Sequence, residues 1–245
     1  MPETALYLIP VTLGDNPPAN VLPSLNFEII SGLNEFIVED VRSARRFLRK
    51  VGFTKNFDEV TFHVLDKHTS KIEIPTFINS LKEGKPVGLL SEAGTPCVAD
   101  PGSEIVKMCQ SLKIKIIPLV GPSSIILALM ASGFNGQQFI FHGYLPVDKE
   151  ARNRRIREIE NMAHRENYTQ IFIETPYRNN QLFEALLATC QDKTMICVAS
   201  NLTTAEEFIA TKTVAAWKKA TVDLNKKPTV FLLFHSLLTN KKNMN

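Results

Sequence analysis

The amino-acid sequence predicts an α/β protein of two lobes, the first with a mostly parallel sheet and the second with a mixed sheet. Short apolar runs alternate with segments of helical periodicity through most of the 245 residues. Several of these runs lack alternating polar residues, as expected of strands that helices cover on both faces. The later runs lie closer together along the chain, which favours a mixed second sheet.

Each predicted strand is a short apolar run bounded by turn residues, and each predicted helix follows the 3.6-residue period. The predicted strands are residues 5–10, 35–38, 60–65, 86–91, 114–119, 138–144, 169–175, 194–200, 207–212 and 229–235. The predicted helices are residues 41–51, 72–83, 103–111, 124–132, 149–166 and 177–188. No long Gly/Ser linker divides the chain, so the turn at residues 118–122 predicts lobes of residues 1–118 and 119–245.

Composition favours a cytoplasmic protein without a metal site. The four cysteines lack C-x-x-C spacing and are typical of reduced thiols, and the histidines show no ligand spacing. The net charge of +3 is too small by itself to indicate nucleic-acid binding. The uncharged stretch 116–147 contains prolines and glycines that would leave backbone groups unsatisfied in lipid. We therefore interpret it as a buried strand, helix and strand, and expect no membrane span.

Two turns at predicted strand ends are candidate ligand loops. In the first, residues 88–102, Gly94 permits close approach of a ligand to the backbone, and Thr95 offers a hydroxyl. In the second, Ser123 and Ser124 stand at a helix N-terminus, whose free N–H groups suit a carboxylate or ribose oxygen. An ordinary turn-rich connection and simple helix capping are the alternative explanations.

Two nucleotide-binding classes are excluded, because neither G-x-G-x-x-G nor G-x-x-x-x-G-K-[ST] occurs. Several other short motifs occur in a fixed order over about residues 5–215. They are Leu6-Tyr-Leu-Ile-Pro10, Glu39-Asp-Val-Arg42, Ser91-Glu-Ala-Gly-Thr-Pro96, Asp100-Pro-Gly102, Val120-Gly-Pro-Ser-Ser124, Phe139-x-Phe-x-Gly-Tyr-Leu-Pro146 and Glu174-Thr-Pro-Tyr-Arg178. Together they resemble the tetrapyrrole methylase superfamily, and within it the branch of ribosomal RNA small-subunit methyltransferase I, which methylates a ribose 2′-oxygen.

The resemblance implies a two-lobed homodimer with S-adenosylmethionine in the cleft between the lobes, acting in ribosomal RNA processing. By their positions in the motifs, the cofactor contacts implied are Pro10, Gly94, Thr95, Val98, Ser123, Ser124, Ile173, Glu174, Thr175, Pro228 and Thr229. The chain departs from the branch at Val41, Ala44, Glu92 and Asn201, so the cofactor-facing motifs match better than the substrate-facing ones.

Candidate proton acceptors for a hydroxyl substrate are Glu39, Asp40 and Glu92, which follow predicted strands. The alternative for Glu39 and Asp40 is a favourable interaction with the dipole of the next helix. Candidate substrate contacts are arginines from two basic helix faces and from the Glu174 motif: Arg42, Arg45, Arg152, Arg155 and Arg178. Solvated helix faces, and a local Glu174–Arg178 pair, are the alternatives.

Three functions follow in order of preference. The first is 2′-O-methylation of a ribose in small-subunit ribosomal RNA. The second is the same cofactor chemistry on a small acceptor such as a tetrapyrrole, suggested by the substrate-side departures. The third is a protein that binds S-adenosylmethionine without catalysis, since a fold does not fix a function.

Overall fold

The computed structural model describes residues 2–66, 68–70 and 72–235. The chain divides into two compact units, Met1–Ser123 and Ser124–Asn245. The expected boundary after Pro118 lies in the turn just before this division.

The first unit is a parallel five-stranded sheet with helices on both faces. Its strands are β1 (Leu6–Ile9), β2 (Glu35–Val38), β3 (Thr61–Val64), β4 (Val87–Leu90) and β5 (Ile116–Pro118), in the order β3-β2-β4-β1-β5. Its helices are α1 (Ser24–Gly32), α2 (Val41–Lys50), α3 (Asn79–Lys82) and α4 (Ser103–Ser111), with 3-10 turns at Pro18–Asn20, Phe57–Glu59 and Ile74–Ile78.

Two apolar cores cover the two faces of this sheet. One contains Phe36, Leu48 and Phe53, and the other contains Leu6, Ile78 and Ile105. Because all five strands are parallel, their carboxyl ends lie at one edge, where ligands bind in sheets of this kind. β1 pairs with both β4 and β5. The loops that follow these three strands are therefore neighbours.

The second unit is a mixed five-stranded sheet. Its strands are β6 (Phe139–Tyr144), β7 (Thr169–Ile173), β8 (Met195–Ser200), β9 (Phe208–Thr213) and β10 (Thr229–Phe234), in the order β6-β7-β10-β8-β9. Only the β6–β7 pair is parallel among these described neighbours. Its helices are α5 (Ser124–Ser132), α6 (Lys149–Glu166), α7 (Asn179–Thr189) and α8 (Val214–Trp217). Trp217 packs edge-to-face on Phe183, and its indole N–H donates to the carbonyl of Ile196 at 2.9 Å.

The predicted fold class is confirmed, with a parallel first sheet and a mixed second sheet. Each predicted strand is present, with bounds that differ by at most two residues at either end. The predicted helix 72–83 begins instead as a 3-10 turn, Ile74–Ile78, and only its end is α-helical. The unpredicted helix α1 turns Asn26 as well as Ile30 toward the interior, which weakens its apolar pattern. Among the described helices, none is both long enough and apolar enough to span a bilayer.

Candidate functional site

The loops after β1 and β4 are joined by backbone hydrogen bonds at the carboxyl edge of the first sheet. The N–H of Val11 donates to the carbonyl of Gly94 at 2.9 Å, and the N–H of Gly94 donates to the carbonyl of Val11 at 3.1 Å. The Ser91 hydroxyl also donates to the Gly94 carbonyl at 2.6 Å. Gly94 is thereby fixed against the end of β1.

The loop after β5 reaches the same place. Gly94 has a φ of +73°, and a Cβ at this position would lie 2.9 Å from Leu13 Cδ2 and 3.1 Å from the Pro122 carbonyl oxygen. At Gly121, a Cβ would lie 2.3 Å from Pro10 Cγ. Glycine is needed at both positions because three loops converge where no side chain fits.

The rest of the β4–α4 loop is held by Asp100. Its Oδ1 accepts hydrogen bonds from the backbone N–H groups of Cys97 at 3.1 Å and Gly102 at 2.7 Å. Cys97 and Ala99 have left-handed φ values of 67° and 60°, each of which costs about 1–2 kcal/mol for a residue with a Cβ. Between them the Val98 side chain is exposed. A loop held in this strained shape is preorganised, as is common at binding sites.

Glu39 lies in a small hollow beside this loop. The hollow is lined by the ends of β2 and β4, by Leu65 and by the segment Asp100–Gly102. Burial raises the pKa of Glu39 to about 7, and the nearby carboxylates of Asp100 and Glu92 add to the rise. Glu39 can therefore exchange a proton near neutral pH.

Asp40 and Glu92 have different environments from Glu39. Asp40 is the N-cap of α2, where its Oδ1 accepts from the Ser43 N–H at 2.7 Å. This hydrogen bond lowers the pKa of Asp40. Glu92 is exposed and accepts from the Ser43 hydroxyl at 2.6 Å. The helix-start explanation accounts for the position of Asp40, and a lowered pKa makes it a weaker base than Glu39.

An open groove runs between the β1 loop and α2. Its volume of about 620 Å³ is in the range of small-molecule binding sites. We call it the α2 groove and define it by its lining residues: Val11, Thr12, Leu13, Gly14, Asp15, Ser43, Arg46, Phe47, Lys50, Glu92 and Ala93. Neither Arg46 nor Lys50 is among the candidate site residues that the sequence predicts. The spacing Ser43, Arg46, Lys50 was the available signal, because residues three and four apart share one face of a helix.

In the second unit, several loops meet at one edge of the sheet. Ile173 at the end of β7 pairs with Val230 of β10, and Thr229 pairs with Ser200 of β8. The Thr229 hydroxyl donates to the Lys227 carbonyl at 2.9 Å, and its oxygen lies 3.1 Å from the Ser200 hydroxyl oxygen. Two neighbouring strands of this unit therefore bring five predicted contacts together, at the end of β7 and the start of β10: Ile173, Glu174, Thr175, Pro228 and Thr229.

Glu174 and Arg178 form an ion pair at this edge. The guanidinium donates to Glu174 Oε1 from Nη2 at 2.6 Å and from Nε at 3.1 Å. The Glu174 side chain is 1% exposed, whereas that of Arg178 is 33% exposed. Glu174 Oε1 also accepts from the N–H of Thr175 at 2.6 Å, so the pair fixes the β7–α7 turn.

Removal of the arginine is expected to be costly for stability. Arg178→Ala leaves the buried carboxylate of Glu174 without its cation and should lower the free energy of unfolding by about 2–3 kcal/mol, less than for a fully buried pair. Urea unfolding measures this loss. Arg157→Ala, an exposed arginine on α6, should change it by less than about 0.5 kcal/mol. The double variant Glu174→Gln/Arg178→Ala has no buried charge at this position and should be more stable than Arg178→Ala. If the two are equally unstable, the unpaired carboxylate of Glu174 is not the cause of the loss.

The other predicted substrate arginines occupy different environments. Arg42 is exposed in the first turn of α2, whereas the guanidinium of Arg45 lies over the rings of Phe57 and Phe62, 5.3 Å from each centroid. Arg155 binds Glu158 at 2.9 Å and His142 Nδ1 at 3.2 Å.

Arg152 differs from the expected solvent-facing position. It is 4% exposed, and its Nη1 donates to the Val147 carbonyl at 3.2 Å. The reason is helical register, because Arg152 precedes the buried Ile156, Ile159 and Ala163 by four, seven and eleven residues.

The described residues contain no group of three or more His, Cys, Asp or Glu side chains that could hold a metal ion. All four cysteines are free thiols.

Strand-end loops that converge at the carboxyl edge of a parallel sheet, beside a titratable carboxylate, are typical of ligand sites in α/β proteins. Residues 30–217 match the family model of the tetrapyrrole (corrin/porphyrin) methylases, and the chain belongs to this family. The chain is accordingly a methyltransferase, and methyltransferases of this family use S-adenosylmethionine.

Three similar bacterial proteins share one name. A ribosomal RNA small subunit methyltransferase I of Vibrio cholerae is 29% identical over 233 residues, which cover 94% of this chain and 76% of that protein. The protein of that name from Escherichia coli O157:H7 is 27% identical and covers 93% of this chain and 77% of its own. One from Streptococcus pyogenes is 32% identical and covers 83% of this chain and 67% of its own.

Among solved structures, the crystal structure of the methyltransferase CobJ superposes with a TM-score of 0.63. It is 17% identical and covers 94% of both chains. At that identity the similarity shows the fold alone.

Proposed function

We propose that this protein transfers the methyl group of S-adenosylmethionine to a ribose 2′-hydroxyl of small-subunit ribosomal RNA. The convergence of the β1, β4 and β5 loops around Gly94 and Gly121 is the observation on which the cofactor site rests. The RNA acceptor is supported by the shared name of the relatives over most of the chain.

The residues present fit a ligand with an adenosyl group and an amino-acid tail. Gly94 and Gly121 allow the three loops to pack where a Cβ would clash, which fixes the loop shapes around the proposed site. Helix α5 begins at Ser124, so its first N–H groups can donate to a carboxylate or a ribose oxygen. The proposed cofactor contacts are Pro10, Gly94, Thr95, Val98, Ser123, Ser124, Ile173, Glu174, Thr175, Pro228 and Thr229.

When bound, S-adenosylmethionine supplies a methyl group on a positively charged sulfur, which leaves as a neutral thioether. The protein's task is to align the acceptor oxygen in line with that bond, so rigid loops contribute directly to the rate. The Asp100 hydrogen bonds and the Val11–Gly94 bridge hold these loops.

Glu39 is the proposed acceptor of the hydroxyl proton. It stands beside the β4–α4 loop, and its pKa of about 7 lets it be ionised and still basic at neutral pH. Glu92 is exposed beside the α2 groove, where its charge helps to keep the pKa of Glu39 high.

Arg42 and Arg155, which keep exposed or partly exposed guanidinium groups, remain proposed contacts to RNA phosphates. We also propose a cytoplasmic homodimer. The free cysteines and the ribosomal substrate named for the relatives support the cytoplasmic location.

Label transfer tests the proposal. Purified protein is incubated with methyl-labelled S-adenosylmethionine and either small ribosomal subunits, naked small-subunit RNA or a tetrapyrrole. We expect label in RNA, at a ribose that becomes resistant to alkaline cleavage on its 3′ side. Label only in the tetrapyrrole, or no label in RNA across a range of salt concentrations, would contradict the proposed acceptor.

A further inference from the structure

We propose that the α2 groove binds the phosphodiester backbone of the acceptor RNA strand through Arg46 and Lys50. This inference rests on the proposed function, because it takes the acceptor to be RNA. It places the RNA strand on a surface beside the β4–α4 loop, which contains Gly94.

The position of the groove supports this assignment. One wall is the β1 loop, Val11–Asp15, and the opposite wall is the face of α2 that carries Ser43, Arg46 and Lys50. Its lining includes Val11 and Ala93, which are the hydrogen-bonded partner and the chain neighbour of Gly94. A strand in the groove therefore passes directly beside the loop proposed to hold the methyl donor.

Arg46 is the cation lining the α2 groove that forms no ion pair within the part of the chain that the structure describes. Arg45 stacks on Phe57 and Phe62, and Arg49 lies 4.0 Å from the centroid of Phe57 and donates to the Phe53 carbonyl at 2.5 Å. Arg46 is exposed and lines the groove, and it forms no ion pair with a carboxylate within the described residues. A guanidinium in this setting is suited to a bidentate contact with a phosphate.

Lys50 is a second cation in the α2 groove, and Asp15 is its partner. The two side chains form an ion pair across the groove and are 40% and 94% exposed. Exposed pairs of this kind contribute little to stability, because solvent screens them. A phosphodiester can therefore replace Asp15 as the partner of Lys50 at small cost.

The β1 loop also has unused hydrogen-bonding capacity. Asn16 follows Asp15, and both polar atoms of its side chain are buried without a hydrogen-bond partner. Buried amides in folded proteins are nearly always satisfied. Asn16 does not line the α2 groove, so its unsatisfied amide is a feature of the loop interior and is separate from the proposed RNA contacts.

Binding of a fluorescein-labelled single-stranded RNA, followed by anisotropy between roughly 50 and 200 mM salt, tests the groove. Arg46→Gln and Lys50→Gln should each weaken binding, by roughly tenfold for Arg46, and reduce the slope of log affinity against log salt by about 0.7. Asp15→Asn should act in the opposite direction and tighten binding several-fold, because it releases Lys50. A loss of fold would not produce this gain.

Matched controls separate the groove from net charge. Lys107→Gln on α4 and Glu28→Gln on α1 make the same charge changes at exposed sites outside the groove. The groove is refuted if Arg46→Gln behaves like Lys107→Gln, or Asp15→Asn like Glu28→Gln, while the unmodified protein binds RNA. Absence of any RNA binding refutes both the groove and the RNA acceptor. If the variants behave as expected but no methyl is transferred, the groove stands and the proposed function fails.

Discussion

Gly94→Ala is expected to lower the free energy of unfolding by about 2–4 kcal/mol and to weaken S-adenosylmethionine binding at least tenfold. Two costs add at this position. The left-handed φ of +73° is unfavourable for any residue with a Cβ, and the new methyl group would lie 3.1 Å from a backbone oxygen, that of Pro122. Because that oxygen belongs to another loop, relief of the clash must move the loops apart.

Gly52 is a matched control for this substitution. It has a φ of +82°, and a Cβ there would meet nothing within 4 Å. Gly52→Ala should therefore show only the backbone cost, about 1 kcal/mol, with unchanged affinity for S-adenosylmethionine. Thermal unfolding and isothermal titration calorimetry measure both quantities. Equal affinities for the two variants would show that the convergence at Gly94 is not part of the cofactor site.

Glu39→Gln is expected to reduce turnover roughly a hundredfold or more, with little change in affinity for S-adenosylmethionine. The amide keeps the shape of the side chain but cannot accept the hydroxyl proton. In the unmodified protein, turnover should rise with pH through about 7, because the carboxylate must be ionised to act as a base. Single-turnover rates at several pH values measure both effects. Asp40→Asn should retain the rise with pH, whereas loss of the rise in Asp40→Asn alone would move the role away from Glu39.

Glu39→Gln should also stabilise the protein at high pH. The pKa of Glu39 is raised on folding from 4.5 to about 7, so the folded state holds its proton more tightly between these values. Its contribution to stability is therefore lost as pH rises from about 4.5 through 7. Because Glu39 is only half-buried, the penalty is on the order of 1 kcal/mol after allowance for solvent screening. Glu39→Gln should be more stable than the unmodified protein at pH 8 and equal to it near pH 4.

The strands were predictable because burial on both faces leaves a direct mark in the sequence. Runs such as residues 86–91 are apolar without alternation, and β4 is buried at every position. The Gly94 and Ser123 turns were recognisable for a related reason, since glycine, proline and hydroxyl residues follow strand ends there.

The roles of individual charged residues were not predictable, because they depend on neighbours that are distant in the chain. Nothing in the helical spacing shows that Phe57 and Phe62 would engage Arg45, or that Asp15 would reach Lys50. Arg152 is the exception. Its register with Ile156 and Ala163 was visible, and the local density of arginines obscured it.

Hydrogen–deuterium exchange with and without S-adenosylmethionine tests the central claim most directly. We predict that the cofactor slows amide exchange in residues 91–96, 121–126, 173–175 and 228–229, while β3 and α6 are unchanged. Saturating cofactor that leaves the Gly94 and Ser123 segments unprotected, or that protects only other parts of the chain, would contradict the assignment of these loops to the methyl donor.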